Sequence, residues 1–75
     1  MNIGKVLAKM NTYDYNANLF NWQDGGRNIW TFTCERRHNK MSDYRCEYTN
    51  GNIDDVVERG HKWWKRDVKK QKNER

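Results

Sequence analysis

Two short stretches alternate between apolar and polar residues, and that alternation limits what the chain can become. In NIWTFTCE, Trp30, Phe32 and Cys34 fall on one side and Thr31, Thr33 and Glu35 on the other. In DYRCEYT, Tyr44, Cys46 and Tyr48 alternate with Arg45, Glu47 and Thr49. Period two, carried by aromatic and β-branched residues, predicts half-buried antiparallel strands with one face on a core. Pairing them so that Cys34 opposes Cys46 also sets Phe32 against Tyr48 and Glu35 against Arg45. Apolar then meets apolar, and the outer face gains an opposite-charge pair.

A third strand is expected in NLFNWQ, where Phe20 and Trp22 flank polar Asn21. The glycines of DGGR supply the turn into the next strand. A two-residue Gly25-Gly26 turn opposes Trp22 to Ile29 and leaves Trp30 out of step. A loop one residue longer opposes Trp22 to Trp30 and Phe20 to Phe32. The hydrophobic pattern therefore predicts a three-residue loop with one glycine in the left-handed conformation.

Helical periodicity brackets these strands. Ile3, Val6, Leu7 and Met10 form one apolar stripe, with Asn2 placed to cap it. Near the C-terminus, Asn50-Gly51 turns the chain and Asn52 is the expected cap of a second helix. Asp54 and Asp55 fall in its first turn, where the helix dipole favours anions. Ile53, Val56, Val57, Gly60, Trp64 and Val68 share a face. A glycine inside a helix costs roughly 1 kcal/mol against alanine. Gly60 therefore implies close approach to a bulky neighbour, with Trp30 and Trp22 the candidates. The expected architecture is α+β, in the order α-β-β-β-α: a three-stranded antiparallel sheet flanked by an N-terminal and a C-terminal helix. Residues 1–70 are expected to make a single small domain and residues 71–75 a frayed basic tail.

At 75 residues the chain can bury only about 60% of the surface it exposes when unfolded. Ten aromatic residues compensate, since each can bury about 150–250 Å². So small a body leaves little room for a catalytic cleft. No run approaches the roughly 18 apolar residues needed to span a bilayer. There is no signal-peptide pattern, and two cysteines are too few for a disulfide scaffold. The expectation is a complete cytoplasmic protein with no membrane partner, and its composition suggests a phage or mobile-element origin.

Catalytic and metal motifs are absent from the sequence. Cys34, His38, Cys46 and His61 have the spacing C-x3-H-x7-C-x14-H, which lacks the closely paired ligands of zinc sites. The cysteines read as small buried hydrophobes. No phosphate loop or nucleophile elbow is present. No cofactor, metal or enzymatic activity is expected.

Charge carries the functional signal. The net charge is +5. Residues 59–75 hold eight basic groups against two acidic ones, a net +6, and residues 1–58 hold seven against eight, a net −1. Lys62, Lys65, Arg66 and Lys69 lie opposite the apolar stripe and suggest a phosphate-binding ridge. The cation-favouring dipole at a helix C-terminus is the competing reading, but it does not require so large an excess. A second basic cluster, Arg36, Arg37, His38 and Lys40, falls between the second and third strands. Trp63 and Trp64 point about 100° apart. Trp64 belongs to the core stripe. Trp63 is either a core-edge residue or an exposed aromatic beside Lys62 and Arg66, and the small core's need for area favours the former.

The element order resembles the double-stranded-RNA-binding domain. That family sets lysines at the start of its last helix, whereas this chain reads NIDDVVE there, so those binding residues do not carry over. The last three strands and helix are also similar to the β-β-β-α DNA-binding domains of tyrosine recombinases and plant transcription factors. Those sheets are basic, whereas the outward positions here, Thr31, Thr33, Glu35, Arg45, Glu47 and Thr49, are near neutral. Small phage anti-defence proteins, anti-CRISPRs among them, resemble this chain in size and build. Two functions are thus expected. The first is nucleic-acid binding through Lys62, Trp63, Lys65, Arg66 and Lys69 with Arg36, Arg37 and Lys40. The second is inhibition or modulation of a host protein, such as a nucleic-acid-processing enzyme, through aromatic and basic surface residues.

Overall fold

The computed structural model describes residues 2–74. Helix α1 (Ile3–Met10) leads into β1 (Tyr15–Asp24) and β2 (Arg27–Arg36). A single 3₁₀ turn (Ser42–Tyr44) then precedes β3 (Arg45–Asn50) and α2 (Ile53–Asn73). The three strands form an antiparallel sheet in the order β1-β2-β3. The expected α-β-β-β-α architecture is the observed one.

Side-chain caps set the helix starts. Asn2 accepts a hydrogen bond from the Lys5 amide at 3.0 Å. Asn52 accepts from the Asp54 and Asp55 amides at 2.9 and 3.3 Å. These bonds satisfy donors that a helix N-terminus leaves unpaired. Asn11 closes α1 and opens β1: its Nδ2 donates to the Leu7 carbonyl, and its Oδ1 accepts from the Ala17 amide at 2.8 Å. Helix α2 runs through Asn73, three residues past the expected limit at Lys70. Arg75, the last residue of the expected tail, lies outside the described residues.

Pairing of β2 with β3 follows the parity argument: Cys34 opposes Cys46, Phe32 opposes Tyr48 and Glu35 opposes Arg45. Pairing of β1 with β2 does not. The turn has two residues, Gly25 and Gly26, with φ of +56° and +83°. Trp22 opposes Ile29, and Leu19 opposes Phe32. Left-handed backbone at both central positions matches the natural twist of a hairpin, and only glycine adopts it freely. Turn geometry thus outweighs the aromatic pattern. A one-residue change in register turns every side chain to the opposite face. Tyr15, Ala17 and Leu19 consequently face the core, and Phe20 and Trp22 stand on the open face, 53% and 45% exposed.

The core lies between the sheet and the helices. Met10, Tyr15, Ala17, Phe32, Cys34, Cys46, Val56 and Val57 are buried, with Leu19, Trp30, Tyr48, Trp63, Trp64 and Val68 packed around them. Gly60 is buried directly over Phe32, and a Cβ at this position would overlap the ring. The close approach implied by the glycine is present, with Phe32 rather than Trp30 or Trp22 as the neighbour. Gly60→Ala should therefore destabilise the fold by about 1–3 kcal/mol despite alanine's better helix propensity. Urea unfolding measures this, and a variant as stable as the parent would show that the ring moves aside freely.

Candidate nucleic-acid interface

The outer face of α2 lies opposite Gly60. Lys62, Lys65, Lys69 and Lys72 fall at i, i+3, i+7 and i+10, a row spanning about 15 Å at 1.5 Å per residue. Arg66 flanks it. All five are exposed. Lys62 pairs with Glu58 at 3.3 Å, and Arg59 pairs with Asp55 at 3.2 Å. Lys65, Arg66, Lys69 and Lys72 have no carboxylate within salt-bridge distance among the described residues. The acidic first turn is thus matched to the near end of the helix, and the cations beyond it face solvent. Lys72 belongs to this row but not to the residues singled out from sequence. Its i+3 spacing from Lys69 was the available signal.

The second basic cluster is divided: Arg36 is buried, whereas Arg37, His38 and Lys40 are exposed. Arg36 is 4% exposed. Its Nε donates to Asp67 Oδ2 at 2.8 Å, its Nη2 to Asp67 Oδ1 at 3.1 Å and its Nη1 to Glu74 Oε2 at 3.2 Å. The guanidinium lies 3.9 Å over the Tyr44 ring. These bonds, those to Asp67 foremost, hold its pKa above the ordinary arginine value. Arg36 is therefore withdrawn from the interface, because it ends β2 with the same inward parity as Phe32 and Cys34. Arg37 donates its Nε to the Thr12 and Tyr15 carbonyls at 2.8 and 2.9 Å, tying the loop to the start of β1. His38 packs on Tyr13, ring centroids 4.7 Å apart, and Lys40 pairs with Glu35 at 3.0 Å. Arg37 and Lys40 remain exposed cations, each already engaged within the protein.

Trp63 packs edge-on against Tyr15, centroids 6.5 Å apart, and so does Trp64, at 6.2 Å. Both are half-buried. Trp63 accordingly takes the core-edge place and does not join the basic row. Tyr15 donates its hydroxyl to Asp67 Oδ2 at 2.6 Å. Burial, reinforced by that bond, raises its pKa above the usual tyrosine value. Asp67 escaped the sequence reading because it interrupts a basic run. Its i+7 spacing from Gly60 nevertheless puts it on the apolar stripe.

Cys34 and Cys46 are buried free thiols, and burial pushes both pKa values up to about 12, which disfavours the thiolate. No group of three or more His, Cys, Asp and Glu side chains converges on a common point among the described residues. Likewise, no helix among them is long and apolar enough to cross a membrane. The exposed cations of α2 therefore make the candidate site, on an α+β scaffold. No protein-family model, curated protein or solved structure matches the chain.

His61 marks the boundary between this surface and the core. It stacks on Trp64 at 5.9 Å, and burial, then Lys65 and Lys9, lower its pKa. The folded chain thus resists protonation that the unfolded chain accepts below its ordinary value near 6.5. Stability from this residue is complete above that value and falls as pH drops towards the depressed folded one. Between about pH 7.5 and 5.5 the melting temperature should fall less for His61→Gln than for the parent. Equal falls would show that His61 takes up its proton without cost in the fold.

Proposed function

We propose that this protein binds nucleic acid non-specifically through the outer face of α2, with Lys65, Arg66, Lys69 and Lys72 on backbone phosphates and Lys62 at the near end. The observation that supports this reading is that those four cations have no salt-bridge partner among the described residues, while the acidic groups around them are engaged elsewhere. Asp55 and Glu58 pair within α2, and Asp67 and Glu74 are turned to Arg36. A surface salt bridge contributes little to folding, and unpaired lysines contribute less, so the row has no evident structural role. Arg36 takes no part in the binding proposed.

Lysines on a regular helical row act as point charges along a phosphate backbone and read no base edges. Affinity should therefore be insensitive to sequence and steeply sensitive to salt. A second reading, modulation of a host nucleic-acid-processing protein, is favoured by the exposure of Phe20 and Trp22, because large aromatics dominate protein interfaces.

Fluorescence anisotropy with labelled duplexes of unrelated sequence distinguishes the two. The parent should bind all of them about equally. Lys65→Gln with Lys69→Gln should reduce the slope of log affinity against log salt by about two, one for each phosphate no longer neutralised. Folding should change by less than about 0.5 kcal/mol. An unchanged slope, or no binding by the parent near physiological salt, would remove the α2 surface as a nucleic-acid site and leave the protein-partner reading.

A further inference from the structure

Strand β1 is an edge of the sheet and pairs only with β2. Asp14 accepts the Arg37 amide through its carbonyl. Hydrogen bonds to β2 therefore come from the even-numbered residues of β1, and the odd-numbered ones point their amides and carbonyls outward. At the start of the strand those outward groups are already engaged. The Ala17 amide bonds to Asn11, and the Tyr15 carbonyl accepts from Arg37. Leu19, Asn21 and Gln23 follow, with no such cover among the described residues.

Exposed sheet edges are ordinarily protected by lysine, proline, bulges or short length. Strand β1 has ten residues, YNANLFNWQD, with no lysine, no proline and one charge, at its last position. Its pairing with β2 is continuous, without a bulge. The other edge, β3, has six residues and carries Arg45 and Glu47. Of the two edges, that of β1 is the longer and the less charged.

We propose that this edge pairs antiparallel with the β1 edge of a second copy of the chain, centred on Asn21, to make a continuous six-stranded sheet. The register follows from which groups are uncovered. With Asn21 opposite its own counterpart, Leu19 bonds to Gln23 of the second copy and Gln23 to its Leu19. All three outward residues of each strand then form ladder bonds, and the covered Tyr15 and Ala17 lie outside the paired segment. The same register sets Phe20 opposite Trp22 of the second copy, and Trp22 opposite its Phe20, at the closer, non-hydrogen-bonded positions. Four aromatic rings thereby meet on the open face. Asp24 opposes Asn18, so no like charges face each other. Centring on Leu19 would instead require the Ala17 amide, which Asn11 already holds.

Such an interface is isologous, with its two-fold axis normal to the sheet. Both α2 helices then lie on one side, and both open faces on the other. The pairing does not depend on nucleic-acid binding and is tested without it.

Sedimentation across a nanomolar-to-millimolar dilution series should show the parent approaching twice the mass of one chain. Asn21→Pro, which removes an outward amide that only the second copy would use, should remain at the mass of one chain. In Asn21→Cys the two new thiols face each other across the axis, with Cα atoms about 5.5 Å apart, within disulfide reach. Mild oxidation should give a covalent dimer, whereas Glu47→Cys on the opposite edge should not. A parent at single-chain mass throughout overturns the proposal. So does a dimer that survives Asn21→Pro, or an Asn21→Cys protein no more readily cross-linked than Glu47→Cys. The cysteine pair decides the matter alone if Asn21→Pro fails to fold.

Discussion

A buried ion pair between Arg36 at the end of β2 and Asp67 inside α2 positions the rest of the molecule. Removing two charges from water costs several kcal/mol per ion unless nearly every donor and acceptor is matched. Here they are matched. Asp67 accepts two bonds from Arg36 and one from Tyr15, and the remaining Arg36 nitrogen reaches Glu74. Tyr44 covers the guanidinium. Five side chains from β1, β2, the 3₁₀ turn, α2 and its C-cap residue thus meet in a domain too small for a large apolar core. Apolar contacts alone would let α2 slide or rotate on the sheet. A bidentate pair allows one geometry. Gly60 lets the helix settle onto Phe32.

This arrangement also sorts the charge. Along α2, Asp54 and Asp55 lie in the first turn, Asp55 and Glu58 pair within the helix, and Asp67 and Glu74 turn to Arg36. What remains on the outer face is basic. Electrostatic character on that face is a consequence of how the fold uses its carboxylates, not only of how many lysines the chain has. The open face of the sheet has a different character, with threonines linked across strands, Thr31 to Thr49 at 3.0 Å, and two exposed aromatics. The molecule therefore has two chemically distinct sides.

Much of the fold was legible in sequence because its signals were local. The alternation around Phe32 and Tyr48 set the β2–β3 register, and Asn2 and Asn52 marked the helix starts. The first hairpin was misread because two rules disagreed. Aromatic pairing asked for one register, and the double glycine for another, and backbone geometry prevailed. Phe20 and Trp22 changed faces as a result. Arg36 was misread for a related reason: grouped with its neighbours it looks like a basic loop, and only strand parity carried two residues further reveals it as an inward side chain. Its partner lies 31 positions away, a separation that no local pattern spans. The basic row on α2 was legible because it follows helical spacing on an exposed face.

Coupling between Arg36 and Asp67 is what the placement of α2 rests on. Urea unfolding of Asp67→Leu, Arg36→Met and the double variant measures it. Each single change strands a buried charge and should cost about 3–5 kcal/mol, whereas the double change removes both charges and should cost much less than the sum. Single variants within about 0.5 kcal/mol of the parent, or strictly additive losses, would contradict the claim that this pair sets α2 on the sheet.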